Sequence, residues 1–389
     1  MKSLRIGYFI TMAALFFAAR LTARREFYLL LFMMAAVLLC ALILNLWTIL
    51  SFSFVQELSE NSAVKGANPT LRVGIYNDKP FPFTMIRIRV EIPIPSEEAE
   101  LRFNLSVRSR INFEIPLYCA YRGVYEVGMT TVEVGDVFGL LSITYDMRRL
   151  PYYRQRVLKV YPRLVSLRFL PSLQRDAKAP GSSAVRLSES GEAYSELREY
   201  RPGDSMKRIH WSASARKGEL FAKRYELSEE SAALVALDTR GGSYEGEELL
   251  RYADLACECA AAIAEYGART GHPVELVVPD RPAPKAPERF RELYERLATM
   301  PFGKDGDLAD KIDETAARIP NLRTVYVIAS RQEEALDAVL RKLAGEGCAV
   351  KCLFVGARGE KAFDPSRLPG VRCASLVFGQ EVAEVLAEL

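Results

Sequence analysis

The stretch ELREYRPGDSMKRIHWSASARKGEL, residues 196–220, concentrates the side chains able to do chemistry: six Arg or Lys, four Asp or Glu, and one each of the chain's two histidines and two tryptophans. Charge at this density marks a solvated loop, yet Leu197, Tyr200, Ile209 and Trp211 are interleaved with it, and a solvated loop does not need them. Three chemistries use such a set. Catalysis would take His210 as base, Ser212 or Ser214 as nucleophile and Asp204 as orienter. Against it, His210-Trp211-Ser212 reads as one alternating strand, and the chain holds no GxSxG elbow. Anion binding, in an envelope receptor or enzyme, would take Arg201, Asp204, His210 and Arg216. An ion-pair network would use the guanidinium forks of Arg198, Arg201, Arg208 and Arg216, which suit bidentate carboxylate pairing, with Glu196, Glu199, Asp204 and Glu219 as partners. Pro202-Gly203 signals a turn, and Asp204 can cap the residues after it. The near balance of acids and bases favours the network, packed through Tyr200 and Trp211. The segment reads as a docking element rather than a catalytic one.

These residues need elements to hold them. After residue 230, near-continuous apolar runs at 231–238, 273–279, 324–330, 349–356 and 371–377 predict strands covered on both faces. Helical stretches at 245–269, 287–299, 307–318 and 331–345 lie between them, and QEVAEVLAEL closes the chain. That alternation predicts a doubly wound, Rossmann-like parallel α/β domain over 229–389, with ligands expected at the carboxyl ends of its strands. There the first strand ends LDTRGGS. Asp238-Thr239-Arg240-Gly241-Gly242 resembles the DxSxS loop of von Willebrand factor A domains, but Arg240 and Gly242 stand where two serine ligands would be. Asp238 is therefore expected to be a remnant of a metal loop, because hard cations need several oxygen ligands. No nucleotide-binding glycine motif and no cysteine or histidine zinc spacing occurs, so no metal and no cofactor is expected.

Between about 66 and 165 the period is two: TLRVGIYND, TMIRIRVEI, AELRFNLSV and TTVEVG alternate, punctuated by Pro and Gly, which predicts a small β-sandwich. Before it, residues 27–50 carry no charge, and as a helix they would rise about 36 Å, enough to cross a bilayer. With the apolar run at 6–20 they predict a transmembrane helix hairpin within 1–55, the bilayer being the first partner. Positive residues flank both helices, so charge does not set the orientation. The seven cysteines lack a paired framework and read as reduced, which favours the cytosolic side for the soluble part. A net charge of +3 gives no footprint for nucleic acid. The whole is an α+β multidomain chain.

Residues 197–226, LREYRPGDSMKRIHWSASARKGELFAKRYE, resemble the signature of the domain of unknown function 58 (DUF 58) family. Leu197, Arg198, Tyr200, Arg201, Pro202, Gly203, Asp204, Arg208, Ile209, His210, Trp211, Ser214, Ala215, Arg216, Gly218 and Leu220 fit its pattern. Upstream, YRGVYEVGMTTVEVGDVFGLL (121–141) and VYPRL (160–164) are similar to two further family segments, with Val137 in place of a proline. The resemblance implies a membrane-anchored bacterial or archaeal protein with a signature segment at 185–228 and a von Willebrand A-like domain after it. It also implies a non-enzymatic adaptor whose partner is a MoxR-type AAA+ ATPase, with a membrane transglutaminase-like protein as a further partner.

Overall fold

A computed structural model of the chain describes residues 2–92, 99–136, 138–150, 153–173, 186–187, 193–194, 196–199, 214, 221–224, 232–281, 289–319, 322–357 and 364–389. Two units emerge: residues 1–163 with Leu297–Met300, and residues 164–296 with 301–389.

The first unit opens with α1 (Lys2–Thr22) and α2 (Arg25–Leu50), which pack on one another around a tight turn where Ala23 takes a φ of 51°. Both are long and apolar enough to cross a membrane, a property that signal sequences share. α2 leaves Leu29, Phe32, Met33, Leu39 and Ile43 exposed and buries Ala41, Asn45 and Thr48. Water would not tolerate so apolar a surface on an isolated helix pair.

Among the described residues, the strands after the hairpin are β1 (Ser53–Leu58), β2 (Ser62–Val64), β3 (Thr70–Asn77), β4 (Phe83–Glu91), β5 (Ala99–Leu105), β6 (Ser109–Pro116), β7 (Gly123–Gly135), β8 (Ser142–Asp146) and β9 (Arg156–Tyr161). They form one sheet in the order β1-β3-β6 and another in the order β2-β9-β7-β4-β5, with β8 paired to β7. Alternation puts Leu71, Val73 and Ile75 of β3 on one inner face and Ile86, Ile88, Val90, Val132, Val134, Leu158 and Val160 on the other, where they share one core. The first sheet takes in residues ahead of the expected start at 66. SFVQEL (53–58) pairs antiparallel with β3, so the strand comes after the end of α2 with only Ser51 and Phe52 between.

In the second unit, β10 (Arg186–Leu187) pairs with β11 (Ala193–Tyr194), and β12 (Glu196–Glu199) pairs antiparallel with β13 (Phe221–Arg224). β14 (Ala232–Leu237), β15 (Val274–Val277), β16 (Leu322–Ala329), β17 (Ala349–Gly356) and β18 (Arg372–Val377) build a parallel sheet in the order β15-β14-β16-β17-β18. Its helices are α3 (Gly246–Thr270), α4 (Phe290–Thr299), α5 (Leu308–Arg318), α6 (Glu334–Gly345) and α7 (Val382–Glu388). One face buries Leu234, Val327, Cys352 and Phe354 under Ile312 of α5 and Leu336 and Leu340 of α6. The alternate residues face α3, which packs along four of the strands and against α7. Four of the five apolar runs are thus strands covered on both faces, as their composition predicts, whereas the edge strand β18 buries Leu376 and leaves Arg372 and Ser375 exposed.

Candidate site at the switch point of the parallel sheet

From β14 the chain crosses to β15 on one side and then to β16 on the other, so the strand order reverses between β14 and β16. In doubly wound sheets, ligands bind outside the carboxyl ends of the strands at such a switch point. Asp238 and Thr239 come directly after β14 at this edge, and Ser330 directly after β16. All three are buried.

The loop after β14 turns back on its own carboxylate. Asp238 Oδ1 accepts from the Arg240 backbone N–H at 3.0 Å and from Arg240 Nε at 2.9 Å, while Oδ2 accepts from an Arg240 terminal nitrogen at 3.1 Å. The other terminal nitrogen reaches Glu333 Oε2 at 2.9 Å, and Arg331 holds Oε1 of the same carboxylate at 2.9 Å. The result is a chain of alternating charge, Asp238–Arg240–Glu333–Arg331, running from a 1 % exposed carboxylate outward to an exposed guanidinium. The Asp238 bonds push the Arg240 guanidinium above its ordinary range, so its charge is fixed at any workable pH.

Backbone conformation makes this closure possible. Gly241 and Gly242 take φ of 77° and 63°, and a Cβ would lie 2.2 Å from Leu249 Cδ1 in the first case and 2.6 Å from Ser330 Oγ in the second. Only glycine lets the loop curl tightly enough to lay the guanidinium over the carboxylate. Below it, the fully buried Tyr252 donates its hydroxyl to the Asp238 carbonyl at 2.6 Å, and Tyr244 and Phe302 pack on its ring. Burial raises the Tyr252 phenol well above its usual range, so it is a fixed donor. Thr239 is pinned through its carbonyl, which accepts from Gly303 N–H at 2.8 Å. The Thr239 and Ser330 hydroxyls are buried without a hydrogen-bond partner among the described residues.

Asp238, read from the sequence as the remnant of a metal loop, lies at the strand end, and its neighbour Arg240 supplies the positive charge beside it. Glu333, Tyr252, Thr239 and Ser330 complete the arrangement and were not expected. Arg198 lies in β12, where its backbone pairs with Ala222 of β13. Ser214 is buried. Tyr200, Arg201, Gly203, Asp204, Arg208, His210, Trp211 and Arg216 lie outside the described residues, as does the ion-pair network they were read to form. The register Glu196 to Arg224 through Glu199 to Phe221 does bring the two ends of that segment together. Among the described residues, no cluster of three or more His, Cys, Asp or Glu could hold a metal ion.

The family model described as Protein of unknown function DUF58 matches residues 196–352, from β12 into β17. No curated protein matches the chain. Solved structures that align with it include a β-glucuronidase 2 from Bacteroides uniformis, covalently bound to cyclophellitol-6-carboxylate aziridine, at 10 % identity and a TM-score of 0.18. That alignment covers 78 % of this chain and 33 % of the enzyme. A putative β-galactosidase from Bacteroides fragilis aligns at 11 % identity and a TM-score of 0.17, over 80 % of this chain and 39 % of its own. The chain thus spans about a third of the length of these proteins. At such TM-scores the likeness carries no argument about fold or activity.

Proposed function

We propose, taking the family match as premise, that the chain is a membrane-anchored, non-enzymatic scaffold that engages a protein partner through the signature segment and the carboxyl end of its parallel sheet. One observation carries the reading: the acid at the ligand-binding edge is already neutralised by its own chain, in a bidentate pair between Asp238 and Arg240. A carboxylate bound in this way offers no open position to a metal and no free base to a substrate. What the edge presents outward is a charge-balanced rim ending in the exposed Arg331, and polar, Arg-bearing rims of this kind suit protein contacts. The loop resembles that of a von Willebrand A-like domain in which a guanidinium stands where the cation would, so partner contact would not require a metal. The resemblance of the signature points to a MoxR-type AAA+ ATPase as the partner. The hairpin α1–α2 would hold the chain in the bilayer, with the soluble part on the cytoplasmic side.

The test is capture of a purified MoxR-type ATPase by the full chain in nanodiscs, with and without nucleotide. The expected result is binding by the wild type that survives chelation of divalent cations in the nucleotide-free arm and weakens in Arg331→Glu. Protease digestion of a C-terminal tag in intact spheroplasts would overturn the reading, because the α/β unit would then face away from any cytosolic ATPase.

A further inference from the structure

The hairpin and the β unit meet at one turn. Arg5 of α1 donates through Nε to the Gly139 carbonyl at 2.7 Å and through a terminal nitrogen to Ser142 Oγ at 3.4 Å. Asn45 of α2 donates to the Leu141 carbonyl at 3.4 Å. One polar side chain from each helix therefore grips the same turn between β7 and β8. The Asp136 carboxylate fixes that turn from within by accepting the Phe138 and Leu141 N–H groups.

The height of this grip along the helices is informative. Arg5–Thr22 is 18 residues, a rise of about 27 Å, and Arg25 to Asn45 rises roughly 30 Å at 1.5 Å per residue. Both match one hydrocarbon thickness of about 30 Å, measured from the tight turn at Ala23-Arg24. If that turn lies at one face of the bilayer, Arg5, Asn45 and the turn they hold lie at the other.

Apolar side chains collect at the same level. Leu140 is buried in the turn, but Phe138 beside it is 57 % exposed. Trp47, two residues beyond Asn45, is exposed and packs on Phe81 with ring centroids 4.9 Å apart. Met85 is exposed at a bulge in β4 where the pairing to β5 shifts register, and it takes a left-handed φ of 48°, which is unfavourable for a side chain of its size. A Cβ on Gly135, next to Asp136, would lie 3.1 Å from Met85 Cβ, so bulge and turn are neighbours. Trp favours the headgroup layer through its amphipathic ring, and exposed Phe on an interfacial surface buries at the boundary of headgroups and acyl chains.

We propose that Trp47, Phe81, Met85 and Phe138 form a collar that seats the first unit directly on the lipid surface, with Phe138 entering the headgroup layer. The occupant is the bilayer itself, continuous with the lipid around α1 and α2. This rests on the reading that the hairpin spans the membrane. The β unit has no slack with which to stand away from the surface, since only Ser51 and Phe52 separate α2 from β1.

The experiment uses the full chain in phosphatidylcholine–phosphatidylglycerol vesicles, with tryptophan emission quenched by lipids brominated high or deep on the acyl chain. In a Trp211→Phe background, the native Trp47 reports the hairpin; adding Trp47→Phe and Phe138→Trp leaves position 138 as the sole reporter. The collar predicts blue-shifted emission from position 138, quenched more by shallow than by deep bromines. If Trp47 is quenched and position 138 is not, the collar is wrong and the hairpin stands. If neither is quenched, both readings fall. Should Trp211→Phe not fold, the difference in quenching between Phe138→Trp and wild type reads the same quantity, and no added quenched signal overturns the collar.

Discussion

Replacing Arg240 with Met keeps the volume of the side chain and removes the guanidinium. Asp238, 1 % exposed, then keeps only the backbone N–H of residue 240 and loses two charge-assisted bonds at 2.9 and 3.1 Å. Removing one partner of a buried pair costs about 3–5 kcal/mol; because Arg240 remains 20 % exposed, water can reach the orphaned carboxylate and the lower end applies. A loss of about 3 kcal/mol in a domain of this size lowers Tm by roughly 6–12 °C. Calorimetry of the detergent-solubilised full chain reads this directly. The double variant Asp238→Asn, Arg240→Met should recover about half, since no charge is then left buried. The folded pKa of Arg240 is raised, so its contribution is complete below its ordinary range and is lost only at pH beyond it. The deficit of Arg240→Met should therefore not vary through titration of the guanidinium between about pH 6 and 9. A Tm within about 2 °C of wild type, smaller than one lost hydrogen bond to a charge would produce, refutes the closed pair. Strict additivity of the double variant does so too.

Three further outcomes rest on the same geometry and on the sequence. Gly242→Ala places a Cβ 2.6 Å from Ser330 Oγ at a φ of 63° and should cost about 1–3 kcal/mol, read by denaturant titration. Burial, aided by the neighbouring Arg372, lowers the Lys351 amine to about 8. The folded state therefore binds fewer protons than the unfolded one, and stability should rise as pH climbs from about 8 to 10.5; Lys351→Met should stabilise the chain at pH 7 by about 1–2 kcal/mol and remove that rise. Asp204→Ala should lower Tm and speed proteolysis within 200–220 if the signature is a network whose arginines need that carboxylate, whereas unchanged melting would favour the anion-site or catalytic reading.

The parallel sheet was legible because strands covered on both faces read as near-continuous apolar runs, as in AALVAL and VYVIA. β1 was not. Its sequence SFVQEL comes straight after a long apolar helix and carries a glutamate, so nothing local separates a strand from a linker there. The site was half legible. Asp238 at a strand end, with Arg240 two residues on and a Gly-Gly pair after it, is visible in LDTRGGS. Glu333 is not, because its place beside Arg240 depends on β16 lying next to β14 rather than on any spacing in sequence. The apolar collar was equally hidden. Trp47 reads as part of a membrane helix and Phe138 as a turn residue, and only the bonds from Arg5 and Asn45 bring them to one height.

The antiparallel ladder of β12 with β13 makes the signature an insert with a closed neck. Glu199 and Phe221 stand opposite one another, so the segment between them begins and ends at one point. Closure at this rung ties the two flanks of the segment to each other through backbone hydrogen bonds, whatever the length of chain between them. Under the function proposed above, a partner that pulls on this segment would load the β12–β13 ladder first, before the parallel sheet.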